Sequence, residues 1–307
     1  MRYICAQPAI QYYAWQVEVM INNFIEQGIN PNNIDIVCSK VNGLLPIEWS
    51  KLADNYAARF FFYEDTRETK HYISSIRPNI LKQHFLAHPY LTDEVVFYHD
   101  CDIAFTKPVD YSSLEIDDIC YGSDTISYIG HNYIKGKGDD VLDLMCNIVD
   151  IDKKLVEENE ANSIGAQYIL KGIDYKFWEK VEKDSERLFK EITELNNKKK
   201  EADPKHHELQ IWCADMWAVL WNIWKLRKNT KVDKSLAMTW ATSHVDEWNI
   251  NNIFHNAGVS NSSSGSFYKG EYIHKLPYNL DLPIKENFAS FKYWQEIQKT
   301  AKKTCLV

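Results

Sequence analysis

The 307-residue sequence has no apolar run near the length of a membrane helix and no excess of positive charge. A membrane span needs roughly 18 to 20 consecutive apolar residues, so we predict none. The formal net charge of -8 argues against a protein that holds nucleic acid on a broad basic surface. Hydrophobic residues make up 45% and charged residues 25% of the chain, and these proportions exclude intrinsic disorder.

The seven cysteines include no CxxC pair, and their number is odd. Several of them, Cys38 and Cys120 among them, lie in apolar runs, which is typical of buried reduced thiols. The N-terminus enters a strand-like run at once and lacks the apolar segment of a signal peptide. We therefore predict a reducing compartment and a cytoplasmic location.

Strand-like and helix-like patterns alternate along the first hundred residues. Short apolar runs predict strands at 3–6, 34–38, 60–63 and 95–98. Apolar residues at helical spacing predict helices at 10–27, 46–58 and 74–87. This alternation indicates an α/β fold in which helices cover both sides of a parallel sheet.

The alternation weakens beyond residue 110, where the predicted elements are less regular. They are strands at 118–122 and 166–170 and helices at 139–147, 153–160, 209–227 and 288–303. Residues 176–206 are a charged helical insertion with a thin apolar stripe. Because its positive and negative charges nearly cancel, we interpret it as a solvated surface and not as a nucleic-acid patch.

Two carboxylates, Asp100 and Asp102, follow the predicted strand at 95–98. In an extended strand both would point to the same side of the sheet, at the end where α/β folds bind ligands. Two adjacent like charges repel each other, and a divalent cation would neutralise them. Carboxylate oxygens suit Mg²⁺ or Mn²⁺. The alternative is a turn at the end of the strand, with the second carboxylate in solvent.

The segment around Asp100 and Asp102 resembles the DxD motif of the GT-A family of nucleotide-sugar glycosyltransferases. The resemblance implies a Rossmann-type mixed sheet with helices on both faces, in a single catalytic domain of residues 1–307. It also implies a nucleotide-sugar-binding half at 1–110 and an acceptor-binding half at 111–307. In that family the two carboxylates hold Mn²⁺ or Mg²⁺ against the diphosphate of the donor.

A third metal ligand is expected from His255, because His255 and Gly258 resemble the element with which many GT-A enzymes add a histidine to the metal. Gly258 would permit a tight turn close to the diphosphate. A purely structural His255 is the alternative, and His244 with Asp246 is a rival candidate. His99 should point to the opposite face of the strand, so we interpret it as a packing residue.

Three further residues are candidates for catalysis or donor binding. Asp215 is a lone acid in a Trp-rich apolar segment, where burial would raise its pKa and suit it to act as a base toward the acceptor. It could instead be an N-cap or a hydrogen-bonded structural residue. Gln167 would line the reacting face of the donor sugar or lie in an edge strand. Arg77 would reach the diphosphate or form a surface salt bridge.

Ala6 and Gln7 end the first predicted strand, where the base and ribose of a nucleotide would dock on the backbone. Tyr12 or Tyr13 could stack on the base. A nucleotidyltransferase would normally carry a glycine-rich basic loop after this strand to hold a triphosphate. The sequence from residue 6 to residue 10 contains neither glycine nor a basic residue, so we rank that activity lower.

These residues predict a metal-dependent hexosyl- or pentosyltransferase of glycan biosynthesis. Its donor would be a nucleotide-sugar, a UDP-sugar by analogy, and its acceptor a hydroxyl of a glycan or glycoprotein. The alternatives are a nucleotidyltransferase and a non-catalytic glycan-binding domain. Six of the ten tryptophans fall between residues 212 and 248. We expect some of Trp212, Trp217, Trp240 and Trp248 to line an acceptor cleft and the others to be core residues.

Overall fold

The computed structural model describes residues 1–306, in which strands and helices alternate. The strands are β1 Arg2–Pro8, β2 Ile34–Ser39, β3 Arg59–Tyr63, β4 Val96–Tyr98, β5 Ile103–Phe105, β6 Cys120–Asp124, β7 Ile164–Leu170, β8 Thr230–Val232, β9 Met238–Trp240 and β10 Ile253–His255. The helices are α1 Gln11–Glu26, α2 Ile47–Asn55, α3 Ile76–Ala87, α4 Ile126–Ile129, α5 His131–Lys135, α6 Asp139–Val149, α7 Lys153–Glu158, α8 Tyr175–Ala202, α9 Ala214–Lys225, α10 Glu247–Ile250 and α11 Ala289–Ala301. The predicted α/β class is confirmed.

The chain divides into two compact units, and the first contains residues 1–64, 98–113 and those from Lys234 onward. In this unit β1 pairs in parallel with β2, and β2 pairs in parallel with β3. A second sheet has the order β5-β10-β9, in which β10 is antiparallel to β5 and parallel to β9. Helix α1 contacts α2, α11 and β5, and its side chains Trp15 and Phe24 are fully buried.

The second unit contains residues 65–97 and 114–233. Here β6 lies between β7, to which it is antiparallel, and β8, to which it is parallel, so the sheet is mixed as expected. The 28-residue helix α8 packs against α3, α6 and α9. These helix contacts and the three strands form the core of the unit.

The charged segment predicted at 176–206 is helical, but one face of it belongs to the core. Helix α8 begins where the side chain of Asp174 accepts a hydrogen bond from the backbone N–H of Phe177, at 3.0 Å. Trp178 and Leu188 are buried on the inner face. The expected apolar stripe lies against α3 and α9, and Glu182, Asp184 and Glu186 are buried with it, so the segment is solvated on only part of its surface.

The helix predicted at 209–227 is also shorter than expected. A single 3₁₀ turn, Ile211–Cys213, precedes α9, which starts only at Ala214. Strands β5, β8, β9 and β10 were not predicted, because three residues are too few to establish an alternating pattern. Among the residues that the structure describes, no helix is long and apolar enough to cross a membrane. All seven cysteines are free, and six of them are buried.

Candidate functional site

The first unit brings Asp100, Asp102 and His255 together. Nε2 of His255 lies 3.4 Å from Oδ2 of Asp100 and 3.4 Å from Oδ1 of Asp102. The three ligand atoms lie within 4.8 Å of one another. Asp102 and His255 are buried, and Asp100 is half-buried. Two side chains that are two positions apart in sequence and one from a distant strand therefore converge on a single point.

Strand pairing produces this convergence. Asp100 and Asp102 lie in the turn between β4 and β5, and not in an extended strand as expected, so their common direction comes from the turn. His255 ends β10, where it pairs with Ile103 of β5. The next backbone N–H, that of Asn256, donates to the carbonyl of Asp102 at 3.0 Å. These backbone bonds hold the imidazole beside the carboxylates.

The donor set fits a divalent cation. Adjacent ligands of an octahedral ion with bonds of about 2.1 Å lie about 3.0 Å apart, close to the spacing between His255 and each carboxylate. Two carboxylate oxygens and one imidazole nitrogen suit Mn²⁺ or Mg²⁺. Asp100, Asp102 and His255 are thus the residues that could hold the metal.

Lys269 adds a positive charge to this cluster, and the sequence analysis missed it. Its ammonium donates a hydrogen bond to Oδ2 of Asp102, the oxygen that does not face His255. Burial would raise the pKa of Asp102, but Lys269 and His255 outweigh burial and hold that pKa well below its usual range. Burial likewise disfavours the charged lysine, yet Asp102 and its neighbours raise the pKa of Lys269. With a neutral His255, the cluster carries one net negative charge.

The charges of this cluster influence the pKa of Tyr12. Burial raises the pKa of Tyr12 well above its usual value, with Asp102 adding to the rise and Lys269 opposing it. The phenol is therefore neutral at physiological pH. Its ring meets that of Tyr13 edge-on, with centroids 4.9 Å apart. The role of Tyr12 in stacking on a nucleotide base stays a prediction.

Two neighbours of His255 shape the site. The ring of Trp240 stacks on the imidazole, with centroids 5.6 Å apart and planes at 25°, and so restricts its orientation. The side chain of Asn256 is 2% exposed, and neither of its polar atoms has a hydrogen-bond partner among the described residues. Gly258 has a φ of +82°, and open space surrounds the position of a Cβ. An unsatisfied buried amide beside an open turn is typical of a ligand site.

Gln7 and Ala6 are both buried on β1. Nε2 of Gln7 donates to Sγ of Cys38 at 3.2 Å, whereas its Oε1 has no hydrogen-bond partner among the described residues. Ala6 pairs with Val37 in the ladder between β1 and β2. Nucleotide docking on these two residues stays a prediction.

The two other histidines near candidate motifs lie elsewhere. His244 pairs with Asp246 at 3.2 Å, and both side chains are exposed. The structure thus brings His255, and not His244, to the carboxylates. His99 is buried, and its ring packs 5.2 Å from that of Phe24, as predicted for a packing residue. Burial lowers the pKa of His99 to about 4.

Asp215 and Arg77 lie together in the second unit. Nη1 of Arg77 is 3.7 Å from Oδ2 of Asp215. The hydroxyl of Tyr72 lies 2.7 Å from Oδ1, and the backbone N–H of Met216 donates to the same oxygen at 3.1 Å. Asp215 thus has a cation and polar groups as neighbours, which differ from the apolar surroundings expected from the sequence.

Gln167 lies in an irregular part of β7 and is fully buried. Ala166 has a left-handed φ of 60°, and the pairing of β6 with β7 shifts register between Gly122 and Ser123. A Cβ at Gly122 would lie 3.0 Å from the carbonyl of Gln167 and closer still to Ile164. Bulges of this kind redirect side chains and are frequent beside active sites. A contact of Gln167 with a donor sugar stays a prediction.

Packing separates the four tryptophans predicted to line a cleft. Trp217 and Trp248 are 0% and 9% exposed, so these two are core residues. Trp240 covers His255, as described above. Trp212 is 59% exposed. The sequence shows only the spacing of the apolar residues, so it could not distinguish buried tryptophans from exposed ones.

No protein-family model matches the sequence, and a comparison with curated proteins finds no match. A structure comparison finds a WbbM bifunctional glycosyltransferase at 10% identity and a TM-score of 0.48, covering 97% of this chain but only 52% of that one. The chain thus spans about half the length of that protein. The galactosyltransferase LgtC, in complex with donor and acceptor sugar analogues, is 10% identical at a TM-score of 0.43, and the match covers 97% of this chain and 95% of that one. Mouse xyloside xylosyltransferase 1 is 7% identical at a TM-score of 0.39, and the match covers 83% of this chain and 97% of that one. These structures are glycosyltransferases, the class that the sequence resembles.

Proposed function

We propose that this chain is a metal-dependent glycosyltransferase that moves a sugar from a nucleotide-sugar to an acceptor hydroxyl. One observation carries the proposal: Asp100 and Asp102 converge with His255 on a point where a divalent cation fits. His255 is followed by a turn at Gly258, where open space surrounds the position of a Cβ, so a polar ligand has room close to the end of β10.

In this proposal Asp100, Asp102 and His255 hold Mn²⁺ or Mg²⁺. When bound, the cation would offset the negative charge that develops on the leaving nucleoside diphosphate. Trp240 keeps the imidazole in the orientation that faces both carboxylates. The backbone N–H of Asn256 holds the carbonyl of Asp102 and so fixes the end of β10 beside the carboxylates.

The donor in this proposal is a nucleotide-sugar, with UDP as the expected nucleotide. Tyr12 presents a neutral ring for the base, while Ala6 and Gln7 supply the end of the first strand. Because the chain carries a net charge of -8, local cations must meet the diphosphate. Lys269 supplies one such charge beside the metal ligands.

For the acceptor, we assign Asp215 to accept a hydrogen bond from the reacting hydroxyl. Arg77 and Tyr72 lie beside this carboxylate and orient it. Gln167 is assigned to the reacting face of the donor sugar, at the bulge of β7. We also propose a reducing, cytoplasmic location, because all seven cysteines are free.

A hydrolysis screen tests the proposal. UDP- and GDP-linked hexoses and pentoses are incubated with the protein and Mn²⁺, with and without chelator, and release of the nucleoside diphosphate is measured. We expect chelator to abolish the release and His255→Ala to reduce it at least about tenfold. His244→Ala is the matched control, since that side chain lies on the surface.

Release that persists with chelator, or equal activity of the two histidine variants, would contradict the proposal. UTP and sugar phosphates serve as a second substrate set. Release of pyrophosphate from this set would indicate the nucleotidyltransferase alternative. Metal-dependent UDP binding without any turnover would indicate a non-catalytic domain.

A further inference from the structure

Trp212 differs from the other tryptophans in its exposure to solvent. Eight of the ten are at most 9% exposed and Trp240 is half-buried, whereas Trp212 is 59% exposed. It precedes α9 within the 3₁₀ turn Ile211–Cys213, and so lies outside the apolar face of that helix. Leaving this ring in water forgoes the favourable free energy of burying it. The exposure therefore calls for an explanation other than packing.

The exposed ring is held in place. The carbonyl of Trp212 accepts a hydrogen bond from the hydroxyl of Tyr72 at 2.6 Å. Tyr72 is buried, and its own ring stacks on Phe189 of α8 with centroids 5.0 Å apart. The indole lies nearly parallel to the ring of Tyr128, with centroids 6.2 Å apart and planes at 22°. An ordered aromatic surface loses little conformational entropy when it binds a ligand.

Polar groups lie close to the backbone of Trp212. The Tyr72 hydroxyl that anchors Trp212 also contacts Oδ1 of Asp215 at 2.7 Å, and Arg77 lies 3.7 Å from Oδ2. The side chains of Asp215 and Arg77 are 13% and 27% exposed, so solvent reaches both. A pyranose ring has an apolar C–H face and a rim of hydroxyls. It therefore needs an aromatic surface with hydrogen-bonding groups at its edge.

The chain around Trp212 favours a sugar over an apolar partner. Residues 203–208 are polar except for Pro204, and most of them are exposed, among them Asp203 and Glu208. The aromatic surface consists of two rings, whereas protein docking surfaces are larger and more continuous.

We propose that Trp212 and Tyr128 form a platform that stacks on one pyranose ring of a glycan, with Asp215 and Arg77 bonding its hydroxyls. The inference rests on the proposed function only in identifying the bound glycan as the acceptor. Binding itself requires neither donor nor metal, and it can be measured without them.

The test presents the full chain, with chelator and no nucleotide, to immobilised oligosaccharides ending in glucose, galactose, mannose, xylose or N-acetylhexosamine. We expect retention on a subset of these glycans. Trp212→Ala should weaken that retention about tenfold, and Trp212→Phe should weaken it less. The matched control is Tyr90→Ala, which removes a 41%-exposed aromatic ring of the same unit.

A second readout uses the exposed indole directly. The best-retained oligosaccharide, added in solution, should reduce the iodide quenching of tryptophan fluorescence in the wild type and leave Trp212→Ala unaffected. Retention of no glycan, or equal retention of wild type and Trp212→Ala, overturns the platform whatever the metal site does. Glycan retention that depends on Trp212, in a protein that lacks metal-dependent UDP binding, would uphold the platform and refute the proposed transferase.

Discussion

Replacing Lys269 by Met should tighten Mn²⁺ binding in the absence of nucleotide. The ammonium of Lys269 bonds Oδ2 of Asp102, whereas the metal would bind the side of the cluster that faces His255. Without the lysine, the cluster carries two negative charges instead of one. Met keeps the length of the side chain and removes only its charge and its hydrogen bonds.

The expected gain can be bounded from the structure. If Lys269 stays in place, it repels the cation across one carboxylate. If it rotates away, the protein loses one charge-assisted hydrogen bond, worth about 1.5–3 kcal/mol. The lysine side chain is 28% exposed, so water can take up the released ammonium. The less costly of these two cases limits the free energy by which Lys269 weakens Mn²⁺ binding. We therefore expect Mn²⁺ affinity of Lys269→Met to exceed that of the wild type about 10- to 150-fold.

Electron paramagnetic resonance of free Mn²⁺ measures this affinity directly. Lys269→Arg keeps the charge and should bind Mn²⁺ much like the wild type. Lys154→Met is the surface control, because that lysine is 78% exposed in an i,i+4 pair. Circular dichroism of each variant checks that the fold is retained.

Binding of UDP should change in the opposite direction. With Mn²⁺ present, the ammonium of Lys269 favours the approach of a diphosphate, so Lys269→Met should bind UDP more weakly than the wild type. Unchanged or weaker Mn²⁺ binding by a folded Lys269→Met would refute this account of the cluster charge.

Two stability predictions concern buried contacts. Gly122→Ala should lower the free energy of unfolding, measured by urea titration, by about 1–3 kcal/mol, because a Cβ there would lie 2.7 Å from Cβ of Ile164. A stability equal to that of the wild type would show that the bulge of β7 accommodates the methyl group without strain. Glu18→Gln should lower the free energy of unfolding by about 2–3 kcal/mol. The carboxylate of Glu18 is fully buried and accepts several hydrogen bonds, including one from the hydroxyl of Tyr278 at 2.6 Å. The control is Glu26→Gln, because the side chain of Glu26 is 48% exposed. This variant should change the free energy of unfolding by less than about 0.5 kcal/mol. An equal loss of stability in both variants would contradict the prediction.

Local patterns predicted the parts of the fold that local physics determines. The helix pattern at 10–27 corresponds to α1, whose end is followed by Gly28 at a φ of +92°. The pair Asp100 and Asp102 could be recognised because both residues follow one apolar strand. Their geometry could not, since a turn and not an extended strand directs the two carboxylates.

Long-range contacts account for what the sequence left open or missed. The choice between His255 and His244 depends on the pairing of β10 with β5, across about half of the chain. Lys269 lies in a polar stretch without regular periodicity, so no local signal connects it to Asp102. Asn256 had a signal, its place next to His255, but its burial without a partner is visible only in three dimensions.

The most direct test of the central claim is calorimetry of UDP binding to the wild type and to Asp102→Asn, each with Mn²⁺ and with chelator. Asp102 offers one oxygen to the metal side of the cluster and the other to Lys269, so its loss affects both. We predict UDP binding by the wild type with Mn²⁺, and binding at least about tenfold weaker with chelator or in the variant. UDP affinity that is the same in all four titrations would contradict a nucleotide-binding metal centre at Asp100, Asp102 and His255.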